Sequence, residues 1–396
     1  MDLSYSSEHL AFQDEVHAFL DMHWSPRKGL RGQEKRQAEF EFRQLAIDEG
    51  YLYRGIPRQY GGSEQTADVI KAQIIRDAFS LARAPMEAPG VGVGMLVPTL
   101  LECGTEWQKD NFVRPTLTGE IFWAQGYSEP NAGSDLAAIR TKGELINDEW
   151  VINGQKVWSS LAQHAQYMFV LVRTEPSAPK HQNLSYLLID LNQPGITVRP
   201  LKQITGGEEF CEVFFDDART PAHMLVGERG KGWKVSRTTL SHERSGFIGN
   251  AANSVNLFEK LVSLAKEAVI DGKSAISNPD IRQRLATLEA HVISHQYSSY
   301  RQLSMTVHNQ EPGIIGLMGK LLATNIGHEV AKLARDLMVD DLLISERLDG
   351  SRGPEKWNNQ FFGSLGIAIA GGTSNIQRNI IAERGLGLPR DVFGKE

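Results

Sequence analysis

Residues 123–135 read Trp-Ala-Gln-Gly-Tyr-Ser-Glu-Pro-Asn-Ala-Gly-Ser-Asp, a run suited to holding a polar ligand. Gln125, Tyr127, Ser128 and Ser134 offer amide and hydroxyl groups. Pro130 stops a helix, and Gly133 lets backbone N–H groups approach a bound group closely. Glu129 and Asp135 are expected to brace the turn through local backbone hydrogen bonds. Such a loop can cradle a flat polar ring and a pyrophosphate, and it can equally be an ordinary turn.

Two further stretches carry comparable chemistry. Asn153-Gly-Gln-Lys-Val-Trp-Ser-Ser160 adds an aromatic ring and two hydroxyls, and Gly371-Gly-Thr-Ser-Asn-Ile-Gln-Arg378 lies near the C-terminus. Leu240-Ser-His-Glu-Arg244 sets an acid beside a base on a helical pattern, where paired solvated charges are the ordinary outcome. His291 and His295 have a spacing that can bind metal. No third ligand or Glu partner accompanies them, so a surface helix pair is expected, and no metal site. Gly90-Val-Gly-Val-Gly94 follows no strand and lacks the full dinucleotide fingerprint, so it reads as helix packing or a turn.

These residues must be positioned by a chain of 396 residues, 41% hydrophobic and 23% charged, enough for two or three domains with a buried core. A net charge of −6 argues against nucleic acid or an anionic membrane as partner. Cys103 and Cys211 cannot make a disulfide framework, and the first residues lack a basic-then-apolar leader, so a cytoplasmic protein is expected. The longest apolar runs, such as 167–172, are too short to span a bilayer.

Residues 1–118 carry helical periodicity, with helices expected from Ser6 onward, over about 34–48 and over about 66–83. From 119 to 230 the texture changes to short β-type runs at 150–152, 167–172, 186–189, 196–199 and 211–215, separated by Asn, Asp, Gly and Pro. That predicts a middle β-barrel or sandwich domain. From 231 to 396 helical periodicity returns, with long candidates at 233–271, 279–309 and 312–346 and a last one from Asn375 to about Arg384.

In this order and spacing the three motifs resemble the acyl-CoA dehydrogenase family of flavoproteins. The resemblance extends to Gly385-Leu-Gly-Leu-Pro389 and covers nearly the whole chain. It implies an N-terminal α-helical domain, the β domain and a C-terminal four-helix bundle. It also implies FAD as cofactor and an acyl-CoA thioester as substrate. A carboxylate would take the α-proton while the β-hydrogen leaves as hydride to the flavin. An α-proton of a thioester is too weak an acid for a lone carboxylate, so donors to the carbonyl and desolvation of the base are both required.

In many members the base immediately precedes the Gly-Thr-Ser of the C-terminal motif. Here Gly371 stands there and has no side chain to act. A second arrangement, in members handling bulky acyl groups, puts the glutamate on the first long helix of the bundle, where Glu243 falls. The resemblance therefore implies Glu243 as base. Gln125, Tyr127, Ser128, Ser134, Trp158, Ser160, Thr373 and Asn375 would contact the flavin, with Trp158 against the ring and Ser160 near its N5 edge. Trp158 as a core aromatic is the alternative. Ser134, Arg244, Gly371 and Gly372 would meet the substrate, Gly371 through its backbone amide. For Arg244 a structural ion pair is the other reading.

Many homodimeric members complete each flavin site from the neighbouring subunit with Arg-x-x-Phe-Gly and Gln-x-x-Gly-Gly stretches. Neither appears, in 272–279 or in 342–358. Bacterial members acting on steroid side chains or rings combine two different subunits as α2β2, and their base-bearing subunit resembles this chain. A hetero-oligomer acting on a bulky alicyclic or steroid acyl-CoA is thus implied, with electron-transfer flavoprotein as acceptor. Alternatives are an oxidase or flavin monooxygenase on the same fold, a scaffold subunit, or a homodimer in which Arg282 or Arg284 replaces the missing contacts.

Overall fold

The computed structural model describes residues 6–27, 29–243, 251–308, 310–311, 313–338 and 355–389. These divide between two compact units. One holds the described residues up to 201 together with 209–239; the other holds 202–208 and those from Leu240 onward.

The first unit opens with α1 (Ser7–His23), α2 (Gly32–Asp48) and α3 (Val69–Ala82). Ser6 caps α1 by accepting from the His9 amide, and Asp68 caps α3 by accepting from Ile70 and Lys71. Phe19, Phe42 and Phe79 bury their rings together, which fixes these helices by their apolar faces. Next come α4 (Val97–Cys103) and α5 (Glu106–Thr118), the latter started by a Thr105–Gln108 capping box. The glycine run at 90–94 serves packing, as expected: a Cβ on Gly92 would come within 2.7 Å of Thr116 and 2.9 Å of Trp123.

The strands of this unit are β1 (Trp123–Gly126), β2 (Lys142–Ile146), β3 (Glu149–Ser160), β4 (Tyr167–Arg173), β5 (Leu184–Asp190), β6 (Ile196–Leu201), β7 (Phe210–Pro221) and β8 (Leu225–Val226). Their order is β6-β7-β3-β2-β4-β5-β8, with β1 parallel to β4. Between β2 and β4 the register holds one pair, Lys142 with Arg173. Two ribbons therefore meet at a thin seam. Alternate residues of one, Trp150, Ile152, Val213 and Phe215, share a core with Met168, Val170, Leu187 and Ile189 of the other. That is the sandwich expected from the period-two patterning.

Then follow α6 (Gly232–Glu243), α7 (Ala251–Glu267), α8 (Pro279–Val307), α9 (Ile314–Met338), α10 (Glu355–Ile369) and α11 (Ser374–Ile380). The helix expected over 233–271 is described as α6 and α7, with 244–250 outside the described residues. In the second unit Leu261, Leu285, Leu288, Val292, Val330, Leu333 and Trp357 form one core of α7 to α10, the expected bundle. Each such leucine contributes about 1.5–3 kcal/mol by leaving water. The helix α10 was not anticipated, because Gly363 and Gly366 each weaken helical propensity by about 1 kcal/mol. Burial of Trp357 and Ser364 outweighs that loss. No described helix is long and apolar enough to cross a membrane.

Candidate functional site

In the first unit, β1 delivers the chain into the loop at 127–135. Gly126 permits this approach, since a Cβ there would lie 2.5 Å from Met168 Sδ. Gln125 is half-buried on β1, and Tyr127 is buried edge-on to Phe169 and Tyr186. Glu129 and Ala132 exchange backbone hydrogen bonds around Pro130 and Asn131. The Glu129 carboxylate accepts from the Arg140 amide (2.6 Å), the Thr141 amide (2.8 Å) and Lys156 Nζ (2.9 Å). Lys156 Nζ also donates to the Tyr127 carbonyl at 3.0 Å.

Lys156 is fully buried and Glu129 is 9% exposed. Burial works against both charges. It prevails for Lys156, lowering its pKa to about 8 against the opposing pull of Glu129. For Glu129 burial is outweighed by the Lys156 charge and by the Thr141 and Arg140 donors, so its pKa falls below the ordinary carboxylate value. Three donors converge on the Glu129 carboxylate and favour its charged form, which in turn favours the ammonium beside it. Glu129 thus braces the turn as expected. Asp135 does not: its side chain reaches Lys180 at 3.0 Å, with both groups well exposed.

The other wall is β3. Its register on β7 runs Lys156 with Val213, then Ser159 with Cys211, so one extra residue bulges out. At the bulge the Val157 amide donates to the Ser128 carbonyl at 2.9 Å, and Trp158 adopts φ +62°. That left-handed conformation costs a non-glycine residue of order 1–3 kcal/mol. It turns the Trp158 ring outward, 60% exposed, with Phe210 edge-on at 5.9 Å. The core-aromatic reading of Trp158 is therefore corrected. Ser128 and Ser160 are half-buried on either side of it in the chain, and the Ser159 hydroxyl is buried without a hydrogen-bond partner. Ser134 is exposed, and nothing lies within 4 Å of where a Cβ on Gly133 would stand. An exposed aromatic face, nearby hydroxyls and an open loop with a pinned backbone fit a flat polar ring such as a flavin.

The second unit holds the remaining candidates. Glu243 is half-buried as the last residue of α6, and Arg244 lies outside the described residues. Gly371 (φ +62°) and Gly372 (φ +94°) turn the chain from α10 into α11. Thr373 caps α11, its hydroxyl accepting from the Ile376 amide, while Asn375 is exposed and accepts from Arg378. Two side chains not singled out in the sequence hold this turn. Buried Gln377 donates to the Gly371 carbonyl at 2.9 Å. Lys320, 2% exposed on α9, donates to the Gly372 carbonyl at 2.8 Å and the Ala368 carbonyl at 3.2 Å. Burial lowers the Lys320 pKa, and the charge of Glu243 raises it.

His295 is a correction: it is buried rather than on the surface, with Nδ1 3.2 Å from Ser254 Oγ. Among the described residues no group of side chains could hold a metal ion. Arg284 pairs with Asp336 at 2.7 Å, between α8 and α9.

Comparison with known proteins matches every part of this architecture to one family. Family models for the acyl-CoA dehydrogenase N-terminal domain, middle domain and C-terminal domain match residues 6–120, 124–218 and 230–386. Acyl-CoA dehydrogenase IpdE1 of Mycolicibacterium smegmatis is 39% identical, over 93% of each chain. The protein of the same name from Mycobacterium tuberculosis is 38% identical, again over 93% of each. Among solved structures, the ChsE4-ChsE5 complex of Mycobacterium tuberculosis contains a chain with TM-score 0.77 and 26% identity, covering 99% of this chain and 100% of that one. A structure described as the Tcur3481-Tcur3483 steroid ACAD gives the same TM-score, identity and coverage. With a helical domain, a β-sandwich carrying an outward tryptophan beside a braced loop, and a helical bundle all matched in order, the chain belongs to the acyl-CoA dehydrogenase family of flavoprotein oxidoreductases.

Proposed function

We propose that this chain carries out FAD-dependent α,β-dehydrogenation of a bulky alicyclic or steroid acyl-CoA, with Glu243 as the base. The observation that carries the assignment is the chemistry around the Gly371–Gly372 turn. Gly371 offers no carboxylate, whereas Glu243 is half-buried in the same unit as this turn, which Lys320 and Gln377 hold through its carbonyls. Glu243 removes the α-proton onto a carboxylate oxygen. The glycine turn, rigid through Gln377 and Lys320, presents backbone donors to the thioester carbonyl as charge builds there. The half-buried position of Glu243 limits its hydration and so strengthens it as a base. Bound FAD would supply the acceptor for the β-hydrogen and its electron pair. Trp158, Ser128, Ser134 and Ser160 would hold its ring, with Gln125, Tyr127, Thr373 and Asn375 completing the contacts.

The substrate class and assembly rest on similarity. One neighbour is described as a steroid ACAD, and both neighbours named above combine two differently named chains. Together with the missing Arg-x-x-Phe-Gly and Gln-x-x-Gly-Gly stretches, this supports a hetero-oligomer with a related dehydrogenase chain. Electron-transfer flavoprotein would reoxidise it. Arg244 would meet the substrate, and the domains would run 1–118, 119–230 and 231–396.

The test is Glu243→Gln in the flavin-loaded complex, assayed against a panel of acyl-CoA thioesters with an artificial electron acceptor. Turnover is expected to fall by ~10²–10⁴-fold while flavin content stays unchanged. Near-normal turnover would remove Glu243 from the role.

A further inference from the structure

Along one face α8 buries Ile281, Leu285, Leu288, Val292 and His295. Roughly 140° around the same helix, at about 100° per residue, runs a second row, Ala286, Ala290, Ile293, Tyr297 and Tyr300. All five are exposed, Ile293 by 43%, Tyr297 by 66% and Tyr300 by 57%. Steps of four, three, four and three residues keep such a row facing one neighbouring helix over several turns.

The chemistry of the row is that of a contact and not of a solvated face. Residues 290–300 contain no Asp, Glu, Lys or Arg, although the chain is 23% charged. The outer face of a bundle helix normally carries the charges, whereas tyrosine with few charges marks the middle of a protein contact. The two tyrosines are also held before any contact forms. Their rings lie edge to face at 6.1 Å, and Gln296 Nε2 donates to Tyr300 Oη at 3.2 Å. Side chains fixed in advance lose little freedom on binding.

The order of sizes along the row says what fits it. Ala290 and Ala286 lie three and seven residues before Ile293, while Tyr297 and Tyr300 lie four and seven after it. An identical row laid antiparallel, with Ile293 against Ile293, sets Ala290 opposite Tyr297 of the second copy and Ala286 opposite Tyr300. Each large ring then faces a small side chain at both ends of the contact. Laid parallel, the same rows would crowd tyrosine on tyrosine at one end and leave a gap between alanines at the other. Charges agree with the antiparallel arrangement. Glu289 falls beside Gln296 of the second copy and Arg301 beside Thr287, so no like charges face each other.

We propose that this row of α8 is a self-complementary contact, through which a second copy of this chain packs its own α8 antiparallel to the first about Ile293. The surface is the same on both copies, as two-fold symmetry requires. The inference goes beyond the dehydrogenase reading and needs neither Glu243 nor the flavin. A related chain that completes the flavin site and an α8 contact that joins like to like would together give two copies of each chain.

Ile293→Glu and Ile293→Lys are each prepared as the flavin-loaded assembly and followed by mass in solution, flavin content and far-UV circular dichroism. Each sets like charges against one another at the two-fold axis. Each is expected to halve the number of copies of this chain per particle, with helix content and flavin retained. Mixing the two preparations should restore the wild-type mass, because opposite charges then meet. A wild-type particle with a single copy of this chain overturns the proposal, and so does undiminished mass in Ile293→Glu. Halved mass without recovery on mixing also overturns it, and gives the face to a different chain. If the charged variants do not fold, Ile293→Cys keeps a small apolar side chain at the axis. Packed helices ~8–10 Å apart bring residues at the axis within disulfide reach, so mild oxidation should link two copies of this chain. No link beyond what the wild type forms through Cys103 overturns the contact. An assembly that lacks a second kind of chain but recovers on mixing defeats the hetero-oligomer and supports the α8 contact.

Discussion

Lys156→Met removes one ammonium from the interior of the β domain and keeps most of the apolar stem. Glu129, 9% exposed, would retain the Arg140 and Thr141 amides but lose its counter-charge, and the Tyr127 carbonyl would lose a donor. Breaking one side of a buried pair costs about 3–5 kcal/mol, since the surviving charge stays desolvated. For a unit of this size, ~2–4 °C per kcal/mol converts that to an apparent Tm lower by roughly 6–20 °C. The pH dependence gives a sharper signature. In the wild type the depressed Glu129 pKa contributes stability above its unfolded value, and that contribution is lost as pH falls through the folded pKa. In the variant burial acts without opposition from Lys156, the carboxyl pKa rises, and protonation relieves the penalty. The gap between the two proteins should therefore be widest near neutrality and narrow toward acid pH. Thermal unfolding followed by far-UV circular dichroism at several pH values measures it. Adding Glu129→Gln to Lys156→Met should recover much of the loss, since both charges are then gone. A midpoint unchanged within ~1 °C, or a gap that does not vary with pH, would refute the ion pair as the brace of this loop.

Trp158→Ala should weaken flavin retention, as an exposed ring held outward by a strained bulge is removed; undiminished flavin and an unaltered visible spectrum after purification would count against stacking. Gly372→Ala would set a Cβ 2.7 Å from Gln377 Nε2 at φ +94°, so turnover should drop with flavin content preserved, and normal kinetics would sink the role of this turn. Expressed without a partner, the chain should bind markedly less flavin per subunit than the assembled enzyme. Mass in solution and flavin stoichiometry test this, and a flavin-saturated, active homo-oligomer would defeat the hetero-oligomer.

What was legible in the sequence was what local chemistry fixes. Pro130 and Gly133 mark the loop, the period-two runs mark β3 to β7, and Ser6 marks the start of α1. What escaped depends on contacts distant in the chain. Lys156 looks like a surface lysine until β3 faces it toward Glu129, 27 residues away. Lys320 reaches carbonyls 48 and 52 residues on. Lys320 left a usable signal, a single charge in the apolar run 314–322, whereas Lys156, between Gln155 and Val157, left none. His295, four residues from exposed His291, occupies the buried stripe of α8 with Leu288 and Val292. The bulge at Trp158 had no local signal; beside it the Val157 amide bonds the Ser128 carbonyl of another segment.

The two buried lysines follow one design and differ in one respect that decides their roles. Each inserts an ammonium beneath a loop, binds main-chain carbonyl oxygen and acts on a glutamate. Lysine suits this task because its protons sit on a compact, rotatable centre at the end of a flexible stem, which arginine's planar fork does not reproduce. Glu129 is buried and takes three donors, two of them backbone amides, so its acceptor capacity is spent on the loop. A carboxylate so committed is a strut, and its proton affinity is low. Glu243 is half-buried on α6, in the unit that holds the Gly371–Gly372 turn. On this physical ground Glu129 belongs to the scaffold of its loop, whereas the proposed base Glu243 is only half-buried.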